Sequence, residues 1–175
     1  MLLPDSFSPR GPQYARITAL IESFHAAMFT CVGTNGAPCS WPLPMRRDPQ
    51  NQLLYLPSLA SSPVVAEVER DARALVTMQD RRVYVSLTGR AMVTGNRSVL
   101  AERWSDRWLS WFPEGANDPQ LRLVCFAPHT GEYWEDDSHG LAQLVQSAKV
   151  LLTNGDAPPH TVDHAKVSLS YWYTS

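Results

Sequence analysis

The fold of this chain is decided by residues 82–94, which read Arg-Val-Tyr-Val-Ser-Leu-Thr-Gly-Arg-Ala-Met-Val-Thr. β-Branched and aromatic residues alternate with polar ones here, and that alternation predicts a long strand with one buried face. Gly89 interrupts the strand, and a glycine inside a strand pattern indicates a bulge or a sharp bend. Because such a bend allows a sheet to curl, the stretch predicts a barrel.

Shorter strands are predicted on the N-terminal side of this one. The Asn35-Gly36 pair tolerates positive φ and predicts a hairpin turn. Three prolines in the returning strand indicate an irregular or edge strand, because proline donates no backbone hydrogen bond. The strands are expected at residues 28–34, 37–45, 53–56 and 74–79, the first three forming a meander, and the prolines are Pro38, Pro42 and Pro44.

Helices are predicted around this sheet. Apolar residues at helical spacing predict one helix over 12–26, with Pro12 in its first turn, and a second helix follows Ser62-Pro63. Asn96 is predicted to cap a third helix that carries Leu100, Trp104 and Trp108. The later elements are expected at strands 121–127 and 131–135, joined by 128–130, a helix over 141–148 and a strand through Val167, Leu169 and Tyr171. The sum is a mainly β fold with α elements (α+β).

Composition excludes several classes of protein. The 175 residues include 15 basic and 17 acidic side chains, a net charge of −2, and no basic stripe, which argues against nucleic acid as a partner. No run of about 18 apolar residues predicts a membrane span, and the first residues do not resemble a secretory signal. Cys31, Cys39 and Cys125 form an odd set without C-x-x-C spacing, which favours reduced, inert thiols. We therefore expect a cytoplasmic protein with no membrane partner.

The motifs of common enzymes are absent, among them G-x-S-x-G, H-E-x-x-H, the Walker loop and G-x-G-x-x-G. His160 and His164 have the spacing of two helical metal ligands, but they follow Pro158-Pro159 and precede a strand pattern, so we expect no metal. Carboxylates cluster at one strand end, where a solvated surface is the favoured interpretation over acid–base chemistry. They are Glu132, Glu135, Asp136 and Asp137.

Two other groups of side chains could bind a ligand. Trp104, Trp108 and Trp111 fall on one face if the helix continues, where they either pack in a core or dimer seam or flank a planar ligand. Hydroxyls at the start of the second helix, together with its free amides, suit an anion such as phosphate, although an ordinary N-cap is the alternative. These hydroxyls belong to Ser58, Ser61 and Ser62.

Several segments together resemble the general stress protein branch of the pyridoxamine 5'-phosphate oxidase-like, FMN-binding split-barrel proteins. Residues 103–119 are similar to that branch's W, W-F-P-x-G and D-P pattern, and Glu132-Tyr133-Trp134 matches its E-Y-W. Residues 84–91 resemble its Y-V-S-V-S-G-x-A strand. The resemblance covers roughly residues 14–137.

The resemblance implies a six-stranded antiparallel split barrel with flanking helices, forming a homodimer with FMN, or FAD, at the subunit interface. It divides the chain into an N-terminal extension (1–12), the split-barrel domain (13–137) and a C-terminal helix and strand packing on the barrel (138–175). No catalytic residue or metal ligand is implied. The implied cofactor-binding residues are Trp41, Pro42, Leu43, Ser58, Ser61, Ser62, Tyr84, Trp108 and Trp111.

The sequence departs from the family pattern at both cationic phosphate ligands. Trp41-Pro42 stands where the family has Arg-Pro, and Ser62-Pro63-Val64 stands where it has Ser-x-Lys. Each charge-assisted hydrogen bond contributes about 1.5–3 kcal/mol, so two losses weaken phosphate binding strongly. Substitutes could come from nearby turns, at Arg46, Arg47, Arg73 or Arg82.

Two functions therefore stay open. The first is a dimeric flavoprotein of the general stress type with flavin-dependent redox activity, for which the cofactor supplies the chemistry. The second is a flavin-free split-barrel dimer that binds or senses another small ligand, with Trp41 and Val64 making the former cationic site apolar.

Overall fold

The computed structural model describes residues 11–136 and 162–169. Three helices, eight strands and two short 3-10 turns make up this part of the chain. In chain order these are α1 Pro12–Ser23, β1 Ala26–Val32, β2 Pro38–Pro44, β3 Arg46–Arg47, β4 Leu54–Leu59, α2 Pro63–Arg70, β5 Arg73–Gln79, β6 Val83–Thr94, α3 Arg97–Arg103, the turns Asp106–Trp108 and Gly115–Asn117, β7 Leu121–Asp136 and β8 Val162–Ser168.

All strands belong to one antiparallel sheet, with the order β2-β1-β5-β6-β7-β4-β3 and with β8 on β7. β2 and β3 end this order on opposite sides, yet only Met45 separates them along the chain. The sheet therefore curls so that β2 and β3 act as one bent strand, paired first with β1 and then with β4. This is a six-stranded split barrel with β8 added, and the α+β class is confirmed. The predicted meander is correct for β1 and β2, but its third strand pairs with Arg46–Arg47 and with β7 instead of with residues 37–45.

The bend that curls the sheet lies at Gly89. The β6–β7 register pairs Thr88 with Thr130 but Gly89 with Pro128, so His129 is the extra residue of a bulge. A Cβ on Gly89 would lie 2.1 Å from the carbonyl oxygen of Ala127. The predicted break over 128–130 is wrong, because β7 runs through as one strand and the bulge absorbs Pro128.

The three prolines of β2 share one side of that strand. The Gly33 N–H donates to the Ala37 carbonyl, and the Met45 N–H donates to the His25 carbonyl. These two bonds show which opposite residues of the hairpin are hydrogen-bonded pairs. Alternation of pair types then places Pro38, Pro42 and Pro44 at non-hydrogen-bonded positions, where an N–H would point away from β1. No ladder bond is lost, and the predicted edge character of this strand is confirmed.

Two apolar clusters hold the barrel together. The larger fills the interior between the sheet, α1 and α2, and a T-shaped ring pair, Phe29 with Phe126 at 6.5 Å, lies at its centre. The smaller cluster lies outside β4 and β7 under the segment that follows α3. Its buried members are Tyr55, Leu100, Trp108, Phe112, Leu121, Leu123 and Cys125.

The predicted tryptophan face is wrong, because the helix ends before it. α3 begins at Asn96, whose side chain caps it as predicted, but it stops at Arg103. Arg46 donates to the carbonyl oxygens of Arg103 and Trp104, so these groups are satisfied without another helical turn. Trp108 then lies in a separate 3-10 turn.

The C-terminal strand begins before Val167, the first residue of the alternating apolar pattern that predicted it. β8 covers Val162–Ser168, and Leu169 N–H still donates to the His129 carbonyl. Val167 and Leu169 are buried as predicted. The predicted helix over 141–148, together with His160 and Tyr171, lies outside the described residues.

Candidate functional site

Two neighbouring parts of the barrel bring six of the predicted site residues together. Trp41, Pro42 and Leu43 lie on β2, and β3, its continuation, pairs with β4 through Arg46 and Tyr55. β2 itself forms no ladder with β4, but the two strands approach each other beside this pairing. Ser61 and Ser62 follow in the turn from β4 to α2. The open edge of the barrel therefore joins these two segments, which we name the β2–α2 edge.

The start of α2 offers uncharged donors at this edge. Ser62 occupies the N-cap position and Pro63 the first helical position, as predicted, but the Ser62 side chain makes no capping hydrogen bond. Ser61 is exposed and Ser58 is buried, with 5% exposure. Hydroxyls beside a helix N-terminus can donate to an anion, and the helix dipole favours negative charge there.

Three of the arginines that could replace the missing cations are engaged elsewhere. Arg46 donates to backbone carbonyls of the α3 end, Arg47 pairs with Glu22, and Arg73 pairs with Asp71. The Asp71 carboxyl has its pKa lowered well below the ordinary range, mainly by its hydrogen bonds from Arg73. For Arg82, the part of the chain that the structure describes contains no side-chain partner. One further arginine, Arg122 on β7, is the register partner of Ser58, and its side chain donates to the carbonyl oxygens of Pro119 and Leu121.

Val64 stands where the family has a lysine, but it does not lie at the β2–α2 edge. Its side chain is fully buried in the larger cluster and does not face the β2–α2 edge. Trp41 is half-buried and packs against the same cluster from β2, across from Phe29. Of the two apolar residues that replace the family's cations, only Trp41 therefore lies at the β2–α2 edge.

A second group of cations, not anticipated from the sequence, lines a cavity of about 270 Å³ beside the junction of β2 and β3 at Met45. Arg107 contacts the ring nitrogens of His25 at 2.8 and 2.9 Å, and Arg46 and Arg47 face the same space. Glu22 is the single carboxylate in its lining, so the cavity carries a positive charge. No spacing rule could reveal this group, because α1, the connection from α1 to β1, β3 and the segment after α3 each contribute to it.

Tyr84 lies apart from the β2–α2 edge. It is on β6, which β5 and β1 separate from β2, a distance of roughly 14 Å along the sheet for three strand spacings. It pairs with Trp134 of β7, whose ring stacks on His164 of β8 at 5.1 Å. Within one subunit, Tyr84 therefore lies beside Trp134 and His164 and apart from the β2–α2 edge.

The two tryptophans of the predicted site have opposite environments. Trp108 is 2% exposed and packs edge-to-face on Trp104 at 5.7 Å, whereas Trp111 is 59% exposed. Burial of Trp108 favours the packing alternative for that ring. Trp111 remains available to a ligand or to another subunit.

Two of the carboxylates considered for acid–base chemistry, Glu132 and Glu135, make ion pairs, whereas Asp137 lies outside the described residues. Glu132 lies 3.0 Å from Lys166 and 3.8 Å from His164, and Glu135 pairs with Arg16. His164 lies on a strand, so it lacks the helical spacing that a metal pair would need. Within residues 11–136 and 162–169, no group of three or more potential ligands could hold a metal.

Comparison with known families gives the identity that this geometry suggests. The family model described as pyridoxamine 5'-phosphate oxidase like matches residues 13–158. The chain belongs to the pyridoxamine 5'-phosphate oxidase-like family. This membership confirms the resemblance found in the motifs and agrees with the split barrel. No curated protein sequence matches the chain.

Solved structures share the fold of this pyridoxamine 5'-phosphate oxidase-like chain. A protein related to general stress protein 26 from Clostridium acetobutylicum is 21% identical over 69% of this chain and 87% of its own, with a TM-score of 0.62. General stress protein 26 from Bacillus anthracis is 17% identical over 66% and 88%, with a TM-score of 0.56. A general stress FMN/FAD binding protein from Xanthomonas citri is 15% identical over 72% and 90%, with a TM-score of 0.61.

The helices of the described part are short. None of those in residues 11–136 and 162–169 is long and apolar enough to cross a bilayer.

Proposed function

We propose that this protein is an FMN-binding split-barrel protein of the general stress type that carries out flavin-dependent redox chemistry. The observation that supports it most is the β2–α2 edge, where Trp41, Leu43 and the serines meet in a family whose neighbours include an FMN/FAD binding protein. Bound FMN would supply the hydride or electron transfer. A cytoplasmic location fits the three free cysteines.

The residues present fit a phosphate through neutral donors. Ser61 and Ser62, with the first amides of α2, would hold the phosphate, and Ser58 would donate from the end of β4. Trp41 would pack beside the flavin ring or its ribityl chain. Since Arg122, which lies across from Ser58 on β7, already donates to two backbone carbonyls, we expect weaker FMN binding than two free cationic ligands would give.

We further propose that the protein is a homodimer. Tyr84 and Trp134 lie too far along the sheet from Trp41 to share a ligand with it in one subunit, but a partner could bring its own copies to that edge. Exposed Trp111 and Met92 also leave apolar surface uncovered. Size-exclusion chromatography with light scattering should give the dimer mass at micromolar concentration, and a monomer alone would contradict this proposal.

Ser62→Glu tests the phosphate site. A carboxylate at this N-cap would repel the phosphate dianion, and we expect FMN affinity to fall about 100-fold, equivalent to about 2.7 kcal/mol. Ser98→Glu is the matched control, since Ser98 is an exposed serine in the first turn of α3. Isothermal titration with FMN measures both variants. Equal affinity of Ser62→Glu and the wild type would exclude this edge as the phosphate site.

The alternative function, a flavin-free dimer that binds or senses another small ligand, rests on Trp41 alone, because Val64 faces the core. Trp41→Arg separates the two functions. It restores the family's cation at the edge and should strengthen FMN binding about tenfold if FMN is the ligand. If neither the wild type nor Trp41→Arg binds FMN, the alternative is favoured.

A further inference from the structure

The two strands of the first hairpin carry a pair of cysteines directly across from each other. Cys31 on β1 and Cys39 on β2 are register partners, and both thiols are free. The bonds from Gly33 N–H to the Ala37 carbonyl, and from Met45 N–H to the His25 carbonyl, place this pair at a hydrogen-bonded position of the ladder. Their Cα atoms are therefore about 5.5 Å apart.

This spacing permits a disulfide but does not favour one. Disulfides span Cα distances of about 4.4–6.8 Å, so no strand has to move far. Their Cβ atoms, however, lie about 3.5–4.5 Å apart, whereas residues directly opposite in a ladder have Cβ atoms about 4.5–5.5 Å apart. A bond between Cys31 and Cys39 would therefore carry strain, and strained disulfides are readily reduced.

The two thiols differ in access to solvent. Cys31 is 3% exposed, whereas Cys39 is only half-buried. The Cys39 thiol now contacts the Ala37 carbonyl at 3.9 Å and fills the space that a Cβ on Gly33 would occupy. Rotation about the Cα–Cβ bond of Cys39 would turn its thiol away from Gly33 and towards Cys31. An oxidant in solution would reach Cys39 first.

We propose that Cys31 and Cys39 form a reversible disulfide in response to a hydroperoxide. The Cys39 thiolate attacks the peroxide oxygen, the O–O bond breaks, and Cys39 becomes a sulfenic acid as water or an alcohol leaves. The Cys31 sulfur then attacks the Cys39 sulfur, the S–O bond breaks, and a second water leaves. In total two thiols lose two electrons and two protons, and the peroxide is reduced.

The surroundings of Cys31 keep it from being the first thiol to react with an oxidant. Burial is the main cause that raises the pKa of this thiol, with smaller contributions from Glu67, Cys39 and Asp71, while Arg70 opposes them. Cys31 is therefore not the first thiol to react, and its proton leaves with the sulfenic oxygen as water when the disulfide forms. The third thiol, Cys125, is buried on the far side of β7, and burial raises its pKa to about 11. It serves as an internal control.

Hydrogen peroxide treatment of the reduced full-length protein, followed by intact mass and peptide mapping, tests the proposal. The wild type should lose two hydrogens, yield a linked Cys31–Cys39 peptide and recover both thiols with reduced glutathione. Cys125→Ser should behave identically, whereas Cys39→Ser should gain no link. The circular dichroism of each variant checks that it is folded.

The proposal does not depend on FMN binding, and the peroxide experiment is read without flavin. Over-oxidation of Cys39 to a sulfinic acid while Cys31 stays reduced would overturn it. A disulfide between two chains, without the Cys31–Cys39 link, would also overturn it.

Discussion

Gly89→Ala should destabilise the fold by about 3 kcal/mol, the upper part of the usual range for overpacking a protein interior. The added Cβ would lie 2.1 Å from the Ala127 carbonyl oxygen and 2.9 Å from the Phe126 ring. The carbonyl belongs to the bulge that curls the sheet, so it cannot move without changing the β6–β7 register. Elsewhere, replacing a strand glycine by alanine stabilises the fold by about 0.5–1 kcal/mol. A loss of stability in Gly89→Ala would therefore point to the close contact at the bulge.

Urea unfolding followed by circular dichroism measures the Gly89→Ala change. Gly95→Ala is the matched control at the end of the same strand, because a Cβ there meets only the side chain of Arg122, at 3.1 Å or more. It should change the free energy of unfolding by less than about 0.5 kcal/mol. Equal stability of Gly89→Ala and the wild type would show that the bulge is not where the structure has it.

Arg103→Met should cost a similar amount, about 3 kcal/mol, by leaving the Asp48 carboxylate without its cation. Asp48 is 4% exposed, and its Oδ2 accepts from Arg103, which also lies over the Tyr55 ring at 5.7 Å. The pair connects the end of α3 to the turn between β3 and β4. Losing one partner therefore leaves a buried, unpaired charge.

A double substitution separates this effect from lost packing. Asp48→Asn combined with Arg103→Met removes both charges and should recover more than half of the loss, measured by the same urea unfolding. Arg73→Met is the surface control, since its pair with Asp71 is exposed, and it should leave the unfolding midpoint almost unchanged. Full destabilisation in the double variant would mean that packing, not the charge, accounts for the loss.

Local patterns of the sequence predicted most of the barrel correctly. Gly89, the Asn35-Gly36 turn, the Ser62-Pro63 start of α2 and the Asn96 cap act through their own backbone or the adjacent residues, and each lies where it was expected. The predictions that were wrong depend on distant residues. α3 ends at Arg103 because Arg46, far away in sequence, satisfies its last carbonyl groups.

The candidate site was predictable only in part for the same reason. The resemblance identified Trp41 and the serines, and the bent β2–β3 strand brings them to one edge. Spacing could not show that Arg47 and Arg73 pair with carboxylates. The Cys31–Cys39 pair likewise needs the strand register, since the separation of the two residues in sequence does not indicate that they face each other.

The visible absorption spectrum of the purified protein, followed by titration of the apo form with FMN, shows directly whether the protein binds flavin. We predict saturable binding of one FMN per subunit with a shifted flavin spectrum, which the serines and amides of the β2–α2 edge would support. A colourless protein whose titration leaves the FMN spectrum unchanged would contradict the proposed function and leave a split barrel with a different ligand.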